Sequence, residues 1–202
     1  MAMVTILYAS TSGHTEYVTQ LLEEQLGNPK HKAPHSASSG SSRNPKPIVV
    51  RRIRAEVARP EDLIGSDILI LASGTWNMDG VEGHLNPHMH EFLYGRAKDM
   101  DLKGKKVAII ALGDDRYFYT CRAGERLRRF VLDHGGEVLE PVLLIVNEPY
   151  GQEEKIRSWG NRLQKALLAS PSSARLSDRR SEAAFGAPLA QPGSAETQYK
   201  QH

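Results

Sequence analysis

Residues 3–17 read MVTILYASTSGHTEY and combine an apolar run, a hydroxyl-rich loop and the start of a helix. The run Met3–Tyr8 is typical of a strand covered on both faces. A helix N-terminus offers free backbone N–H groups and a partial positive charge, which favour a bound phosphate. The loop lacks both the lysine of a nucleotide-triphosphate loop and the glycines of a dinucleotide fingerprint. It therefore predicts a site for a terminal phosphomonoester, with an ordinary helix N-cap as the alternative. The predicted phosphate-binding residues are Ser10, Thr11, Ser12, Gly13, His14 and Thr15.

Strand and helix patterns alternate over the rest of the chain. The predicted strands are Met3–Tyr8, Ile48–Ile53, Asp67–Ser73, Lys106–Leu112 and Val138–Val146. The predicted helices are Gly13–Leu26, Pro60–Ile64, Asn86–Arg96, Arg122–His134 and Gln152–Leu168. Five strands interleaved with helices indicate an α/β three-layer sandwich around a five-stranded parallel sheet. Pro141 places the last strand at an edge or in a bulge. Such sheets bind ligands beyond the carboxyl ends of their strands, so the loops after the first, third and fourth strands matter most.

The length of 202 residues suits one domain, which we predict to span residues 1–169. Residues 28–47 are rich in Ser, Pro and Lys and predict a low-complexity surface loop. Residues 170–202 show no apolar period and predict a disordered C-terminal tail. Both segments bury too little apolar surface to offset the entropy lost on ordering.

Composition argues against several function classes. The 26 basic and 24 acidic residues give a net charge of +2, without the basic excess typical of nucleic-acid-binding proteins. The single cysteine, Cys121, allows no internal disulfide, which fits a reducing cytoplasm. No stretch approaches the roughly 18 apolar residues of a membrane helix, and no secretory signal is visible. We therefore expect a cytoplasmic protein that binds neither nucleic acid nor membrane.

Residues 6–17, ILYASTSGHTEY, match a specific pattern without a gap. The pattern is two apolar residues, an aromatic residue, a spacer and then S/T-x-T/S-G-x-T. The segment resembles the FMN-phosphate loop that opens flavodoxins. The resemblance implies non-covalently bound FMN as the cofactor and a flavodoxin-like sheet of strand order 2-1-3-4-5. It covers residues 3–169 apart from 28–47, and the uninterrupted last strand is typical of the short-chain branch.

Two further loops place large aromatic residues at the carboxyl edge of the sheet. Residues 73–80 read SGTWNMDG, and residues 113–119 read GDDRYFY. An aromatic residue on a glycine-rich loop has little structural reason to be there, and a flat isoalloxazine stacked between two rings would supply one. Trp159 fits the buried face of its helix, so Trp76 is the tryptophan that needs an explanation. The alternatives are that Trp76 plugs the sheet end and that Phe118 or Tyr119 replaces Tyr117.

These loops also resemble the flavin-stacking loops of flavodoxins, which carry S/C-x-T-W and G-D-x-x-Y. The cofactor-binding residues implied there are Ser73, Gly74, Thr75, Trp76, Asn77, Gly113, Asp114, Tyr117 and Tyr119. The resemblance implies that the peptide after Trp76 flips, and we expect Asn77 to permit this because Asn tolerates positive φ. Asp79, Asp114 and Asp115 are expected to disfavour the reduced anionic flavin by charge repulsion.

Two features depart from the family pattern. Flavodoxins are usually strongly acidic, whereas this chain is near neutral and carries Arg122, Arg126 and Arg129 on one helix face. This strip is either a solvated helix face or a sign of an unusual redox partner. The loop predicted at Val81–His90 contains the histidines 84, 88 and 90. Pro87 and the spacing argue against a metal site, which leaves an imidazole that tunes the flavin or plain exposed histidines.

The function that these residues favour is an electron carrier that needs no catalytic acid, base or metal. Its expected partners are a reductase donor and an acceptor enzyme, and we expect a monomer. An FMN-dependent NAD(P)H:quinone reductase and a flavin-free interaction module remain as alternatives on the same fold. A phospho-acceptor receiver domain is excluded because Ala9-Ser10 stands where that class needs an acidic pair.

Overall fold

The computed structural model describes residues 1–27 and 47–169. Its strands are β1 (Ala2–Ala9), β2 (Ile48–Arg54), β3 (Ile68–Met78), β4 (Val81–Leu85), β5 (Lys106–Gly113) and β6 (Glu137–Val146). Its α-helices are α1 (His14–Gly27), α2 (Pro87–Glu91), α3 (Ala123–Asp133) and α4 (Glu153–Ala169). A 3₁₀ turn, Pro60–Leu63, and a π-helical turn, Phe92–Arg96, complete the described elements. The predicted loop 28–47 lies outside the described residues except for Pro47, and the predicted tail 170–202 lies outside them entirely.

The sheet separates two hydrophobic cores. Successive residues of a strand point to opposite faces, so Ile6 packs in one core and Leu7 in the other. The core around Ile6 is covered by α1 and α4, and it buries Trp159 as predicted. The core around Leu7 is covered by α2, the π-helical turn and α3. Two helical layers around one sheet confirm the predicted three-layer α/β sandwich.

The parallel strands run in the order β2-β1-β3-β5-β6. This is the predicted 2-1-3-4-5 order once the short β4 is set aside, so the flavodoxin-like topology is confirmed. The final strand lies at the sheet edge, and its pairing with β5 shifts between Ala108 and Ile110, as Pro141 indicated. Within the described part of the chain, every helix is too short or too polar to span a bilayer.

The prediction of a loop at Val81–His90 was wrong. β3 continues past the sheet edge to Met78, and β4 pairs with this extension in antiparallel fashion. Asp79 (φ 53°) and Gly80 (φ 81°) make the tight turn between the two strands, because both adopt the left-handed region. The predicted helix Asn86–Arg96 is divided into α2 and the π-helical turn, with Asn86 as the N-cap of α2.

Candidate cofactor-binding site

A cavity of about 780 Å³ lies at the carboxyl ends of β1, β3 and β5. This volume is within the range of roughly 300–1,000 Å³ that is typical of small-molecule sites. Thirteen of the fifteen predicted cofactor-binding residues line it: Ser10, Thr11, Ser12, His14, Thr15, Gly74, Thr75, Trp76, Asn77, Gly113, Asp114, Tyr117 and Tyr119. The parallel topology brings these three distant loops together, because their strands end at the same edge of the sheet.

Gly13 and Ser73 do not line the cavity. Ser73 is fully buried, and its hydroxyl donates to the Gly74 carbonyl and accepts from the Asn86 N–H. Gly13 has a φ of +89°, a conformation that a side chain would strain, and it turns the chain into α1. Both residues therefore shape the loops that form the cavity.

The hydroxyl-rich end of the cavity is held by hydrogen bonds from neighbouring elements. Ser10 Oγ accepts from the Gly13 N–H at 3.1 Å, and Thr11 Oγ1 accepts from Asn86 Nδ2 at 3.0 Å. Arg54 donates to the Ser10 carbonyl at 2.9 Å. His14, the first residue of α1, lies 3.0 Å from a carboxylate oxygen of Glu148. The loop is thereby fixed at the N-terminus of α1, the arrangement that suits a phosphate.

Trp76 lies on the extended end of β3, directly opposite His84 of β4. Its indole folds back over Gly74, where a Cβ would lie only 3.4 Å from Trp76 Nε1 and 4.0 Å from Thr15 Oγ1. Thr75 Oγ1 accepts from the Ala123 N–H at 3.1 Å and so ties this loop to the start of α3. The tryptophan wall therefore reaches from β3 towards the hydroxyl-rich loop.

The loop after β5 forms the second aromatic wall. Tyr117 is 47% exposed and Tyr119 is 39% exposed, and both line the cavity. The Arg122 guanidinium lies 4.0 Å from the centre of the Tyr119 ring, which fixes that ring from outside the cavity. The Glu82 carboxylate accepts from the Phe118 N–H at 3.1 Å and joins the β3–β4 hairpin to this loop.

The electrostatics of the cavity differ from the sequence-based expectation. Asp114 accepts hydrogen bonds from the side chain and backbone of Arg116, which lower the pKa of its carboxyl to about 2. Its negative charge is consequently balanced by an adjacent cation. Asp115 exchanges hydrogen bonds of 2.9 and 3.0 Å with Asn147. The Asp114 carboxylate therefore repels a reduced anionic flavin less than an isolated carboxylate would, whereas the neutral Asn147 leaves the charge of Asp115 in place.

The backbone after Trp76 is part of a strand in this structure, and the flip of the peptide after Trp76 stays a prediction. Asn77 lies within β3, where the pairing shifts between Trp76 and Met78, and its φ is not positive. The positive φ angles come two and three residues later, at Asp79 and Gly80. Because β3 extends through Asn77, this residue lies in a strand. The turn is made by Asp79 and Gly80 instead.

Several lining residues were absent from the predicted set. They are Glu82, Gly83, Asn86, Leu112, Asp115, Arg116, Asn147 and Glu148. Asn86 is 1% exposed and links the hydroxyl-rich loop to β3 and α2. The sequence signal for it was available, since Asn before Pro is typical of a helix start. Asn147 and Glu148 follow β6, whose loop carried no recognisable motif.

The three histidines of the hairpin region lie outside the cavity lining. Burial lowers the pKa of His84, and the nearby Arg126, His90 and Arg122 act in the same direction. His88 lies 4.0 Å from Glu56, and the His90 ring lies 5.0 Å from the ring of Tyr94. Among residues 1–27 and 47–169, no group of three or more His, Cys, Asp and Glu side chains is placed to hold a metal ion.

A phosphate loop, two aromatic walls and a doubly wound sheet define a flavoprotein-type site. Comparison with known proteins gives the same class, since residues 6–159 match the family model described as Flavodoxin. A flavodoxin from Maridesulfovibrio salexigens is 28% identical, over 80% of this chain and 96% of the relative. A probable flavodoxin 2 from Bacillus subtilis is 26% identical, over 77% and 89% of the two chains. The crystal structure of oxidised flavodoxin 2 from Bacillus cereus aligns with a TM-score of 0.64 and 27% identity, covering 82% of this chain and 99% of that one.

The chain belongs to the flavodoxin family. It is an FMN-binding electron-transfer protein with the short-chain form of the fold. The cavity fits this cofactor, because one end offers hydroxyls and a helix N-terminus to a phosphate while the other offers aromatic side chains to a flat ring.

Proposed function

We propose that this protein shuttles low-potential electrons between a reductase donor and an acceptor enzyme, as a monomer in the cytoplasm. The observation that carries the proposal is the convergence of three separate loops on one cavity with a hydroxyl-rich end and an aromatic end. FMN supplies the redox chemistry when bound, since it accepts and releases electrons singly or in pairs. The protein supplies binding, orientation and electrostatics.

The phosphate of FMN is assigned to the loop that precedes α1. Hydroxyls of Ser10, Thr11, Ser12 and Thr15 are available as donors, and the amides of the first turn of α1 point the same way. Asn86 supports this assignment, because its buried amide orients Thr11 from behind. His14 adds an imidazole to this end of the cavity, and that imidazole lies 3.0 Å from the carboxylate of Glu148.

The isoalloxazine is assigned to the space between Trp76 and Tyr117, with Tyr119 at its border. Gly74 lets the indole approach the end of β3 closely, and Gly113 lets the tyrosine loop return to the strand. Rings on both faces reduce the solvation of the flavin and so favour its neutral forms over the reduced anion. This lowers the potential at which the protein delivers its electrons.

A carrier explains the cavity better than an enzyme that accepts hydride. A hydride donor needs one face of the flavin free, whereas an electron needs only proximity of the ring edge to a partner. Tyr117 and the neighbouring Phe118 are exposed, so the tyrosine side of the cavity meets the protein surface where a partner can approach.

An anaerobic redox titration of the FMN-loaded protein tests this proposal. The carrier predicts two resolved one-electron steps, the second at low potential, and slow oxidation of NADH or NADPH by the protein alone. A single two-electron step with rapid NAD(P)H oxidation would replace the carrier by the quinone-reductase type of enzyme. Trp76→Ala removes one aromatic wall of the cavity. Trp76→Phe preserves an aromatic wall and is the matched control for this variant.

A further inference from the structure

A positively charged surface borders the cofactor cavity on the side of α3. Arg122, Arg126 and Arg129 are spaced by four and three residues, so they lie on one face of the helix. His84 on β4 and His90 on α2 lie beside them. We call these five residues the α3 surface.

The α3 surface is joined directly to the cavity wall. Arg126 Nε donates to the carbonyl of Gly83, and the Arg122 guanidinium covers the Tyr119 ring at 4.0 Å. Gly83 and Tyr119 both line the cavity. A partner bound on the α3 surface would therefore sit within contact distance of the wall around the flavin.

The members of this surface are close enough to act on one another. Arg126, His90 and Arg122 all lower the pKa of His84, in addition to its burial. Burial raises the pKa of Tyr94, and Arg126 and Arg129 oppose that rise. The lowered pKa favours the neutral His84 imidazole near pH 7, so the three arginines, and not this imidazole, carry the positive charge of this face.

Two of the three arginines have a carboxylate neighbour, in exposed pairs at long separations. Glu125 lies 3.8 Å from Arg122, and Asp133 lies 3.6 Å from Arg129, in pairs whose carboxylates are well exposed. Exposed pairs of this kind contribute only about 0–1 kcal/mol. Within residues 1–27 and 47–169, no carboxylate comes within ion-pair distance of Arg126.

The carboxylates on the cavity rim are, in contrast, engaged by partners of their own. Asp114 is paired with Arg116, and Glu148 is paired with His14. Glu82 accepts from the Phe118 backbone. Of these carboxylates only Asp114 is compensated by an arginine, so the positive charge available to a partner lies on the α3 surface and not on the rim.

Two exposed apolar side chains lie next to this charged surface. Phe118 is 87% exposed and Val81 is 58% exposed, and the hydrogen bond between Glu82 and Phe118 brings their segments together. An exposed aromatic residue beside arginines is the composition typical of interface hot spots.

From these contacts we propose that the α3 surface, with Phe118 at its apolar edge, is the docking surface for a redox protein that presents acidic residues around its own cofactor. The inference rests on the proposed electron-carrier function, because docking would serve electron transfer. The contact between the α3 surface and its partner does not itself require FMN. Charge complementarity commits the surface to an acidic partner, because such a partner is steered towards arginines.

Cytochrome c and its succinylated form provide a matched pair of probes. They share one fold and one haem, but succinylation replaces lysine cations by carboxylates. We expect the immobilised full-length chain to bind succinylated cytochrome c at an ionic strength of about 0.01 M and to lose it at about 0.1 M, as the Debye length falls from about 30 to about 10 Å. In stopped flow, the reduced FMN-loaded protein should reduce the succinylated form at least about tenfold faster than the native form at low salt.

Two charge-reversal variants test whether succinylated cytochrome c binds at the α3 surface. Arg129→Glu changes an exposed side chain that makes no contact with the cavity, and we expect it to slow association with succinylated cytochrome c about tenfold at low salt. Arg126→Glu should act in the same direction. Arg162→Glu reverses an exposed charge on α4 and is the control, expected to leave association within about twofold of the wild type.

Preference for native cytochrome c, or unchanged association in both Arg129→Glu and Arg126→Glu, would overturn the docking proposal while leaving electron transfer intact. Failure to retain FMN would instead count against the proposed function. The binding measurement on the immobilised chain still decides the docking proposal in that event. FMN absorption and far-UV circular dichroism of each variant establish that the fold is retained.

Discussion

Gly113→Ala tests whether the end of β5 must lack a side chain for the tyrosine loop to close. A Cβ at this position would lie 2.2 Å from the backbone N of Cys121 and 3.0 Å from its Cα. Carbon contacts are optimal at about 3.5–4.0 Å, so one of the two segments must move by more than about 1 Å. No rotamer change relieves the clash, because the contacted atoms are backbone atoms of a residue whose φ is +56°.

The clash between an alanine at position 113 and the Cys121 backbone also affects the cavity. Gly113 and Cys121 enclose the loop that carries Asp114 and Tyr117, and the Gly113 carbonyl accepts from the Asn147 N–H at 2.7 Å. Overpacking of this kind costs about 1–3 kcal/mol of unfolding free energy. If a similar displacement reaches the flavin wall, FMN affinity falls about tenfold, since 1.4 kcal/mol corresponds to a factor of ten.

Urea unfolding of the apoprotein and titration of FMN by fluorescence quenching measure the two effects. Gly95→Ala is the matched control, because its Cβ meets no atom within 4 Å and it lies in the π-helical turn. We expect this control to change stability by less than about 0.5 kcal/mol and affinity not at all. Wild-type stability and affinity in Gly113→Ala would show that the tyrosine loop closes equally well with a side chain at the end of β5.

Three further predictions follow from the site. Replacing Trp76 by Ala removes one aromatic wall and should weaken FMN binding by about 1–3 kcal/mol, measured by fluorescence titration, with Trp76→Phe nearer the wild type. Asn86→Ala removes the contact to Thr11 and the cap of α2, so affinity for FMN should fall more than affinity for riboflavin, which lacks the phosphate. Arg116→Ala should raise the pKa of Asp114 from about 2 towards its ordinary value of 3.8 in an NMR titration. Because the folded-state pKa is lowered, the stabilisation is present above about pH 4 and is lost as the pH falls through about 2. Equal losses for FMN and riboflavin, or an unmoved Asp114, would contradict these assignments.

Local patterns were sufficient to predict the sheet and the three main loops. Short, mostly apolar runs such as Met3–Tyr8 and Asp67–Ser73 mark buried strands, and the glycine, hydroxyl and aromatic residues after them mark the carboxyl edge. Parallel topology then brings those ends together whatever their separation along the chain. This is why residues chosen from sequence line one cavity.

The hairpin of β3 and β4 was not predictable in the same way. Val81–Leu85 contains a glycine, a glutamate and a histidine, so its composition is not that of a strand. It is extended because it pairs with the end of β3 and because the positive φ angles at Asp79 and Gly80 reverse the chain. The same pairing explains why Asn77 lies in a strand.

The pairing of charges also depends on the tertiary structure. The sequence places Asp114 and Asp115 near the flavin as sources of charge repulsion, and the structure adds their partners, Arg116 and Asn147. Asn147 comes from the loop after β6, more than thirty residues away. Charge composition alone therefore does not show that Arg116 compensates Asp114 while Asp115 has only a neutral partner.

Titration of the purified chain with FMN, followed by desalting, measures whether the protein binds this cofactor. We expect quenching of flavin fluorescence that saturates at one FMN per chain, and flavin absorption that remains with the protein after desalting. Trp76→Ala should reduce both signals. Flavin that stays fluorescent during the titration and separates from the wild-type protein on desalting would show that the cavity does not hold FMN.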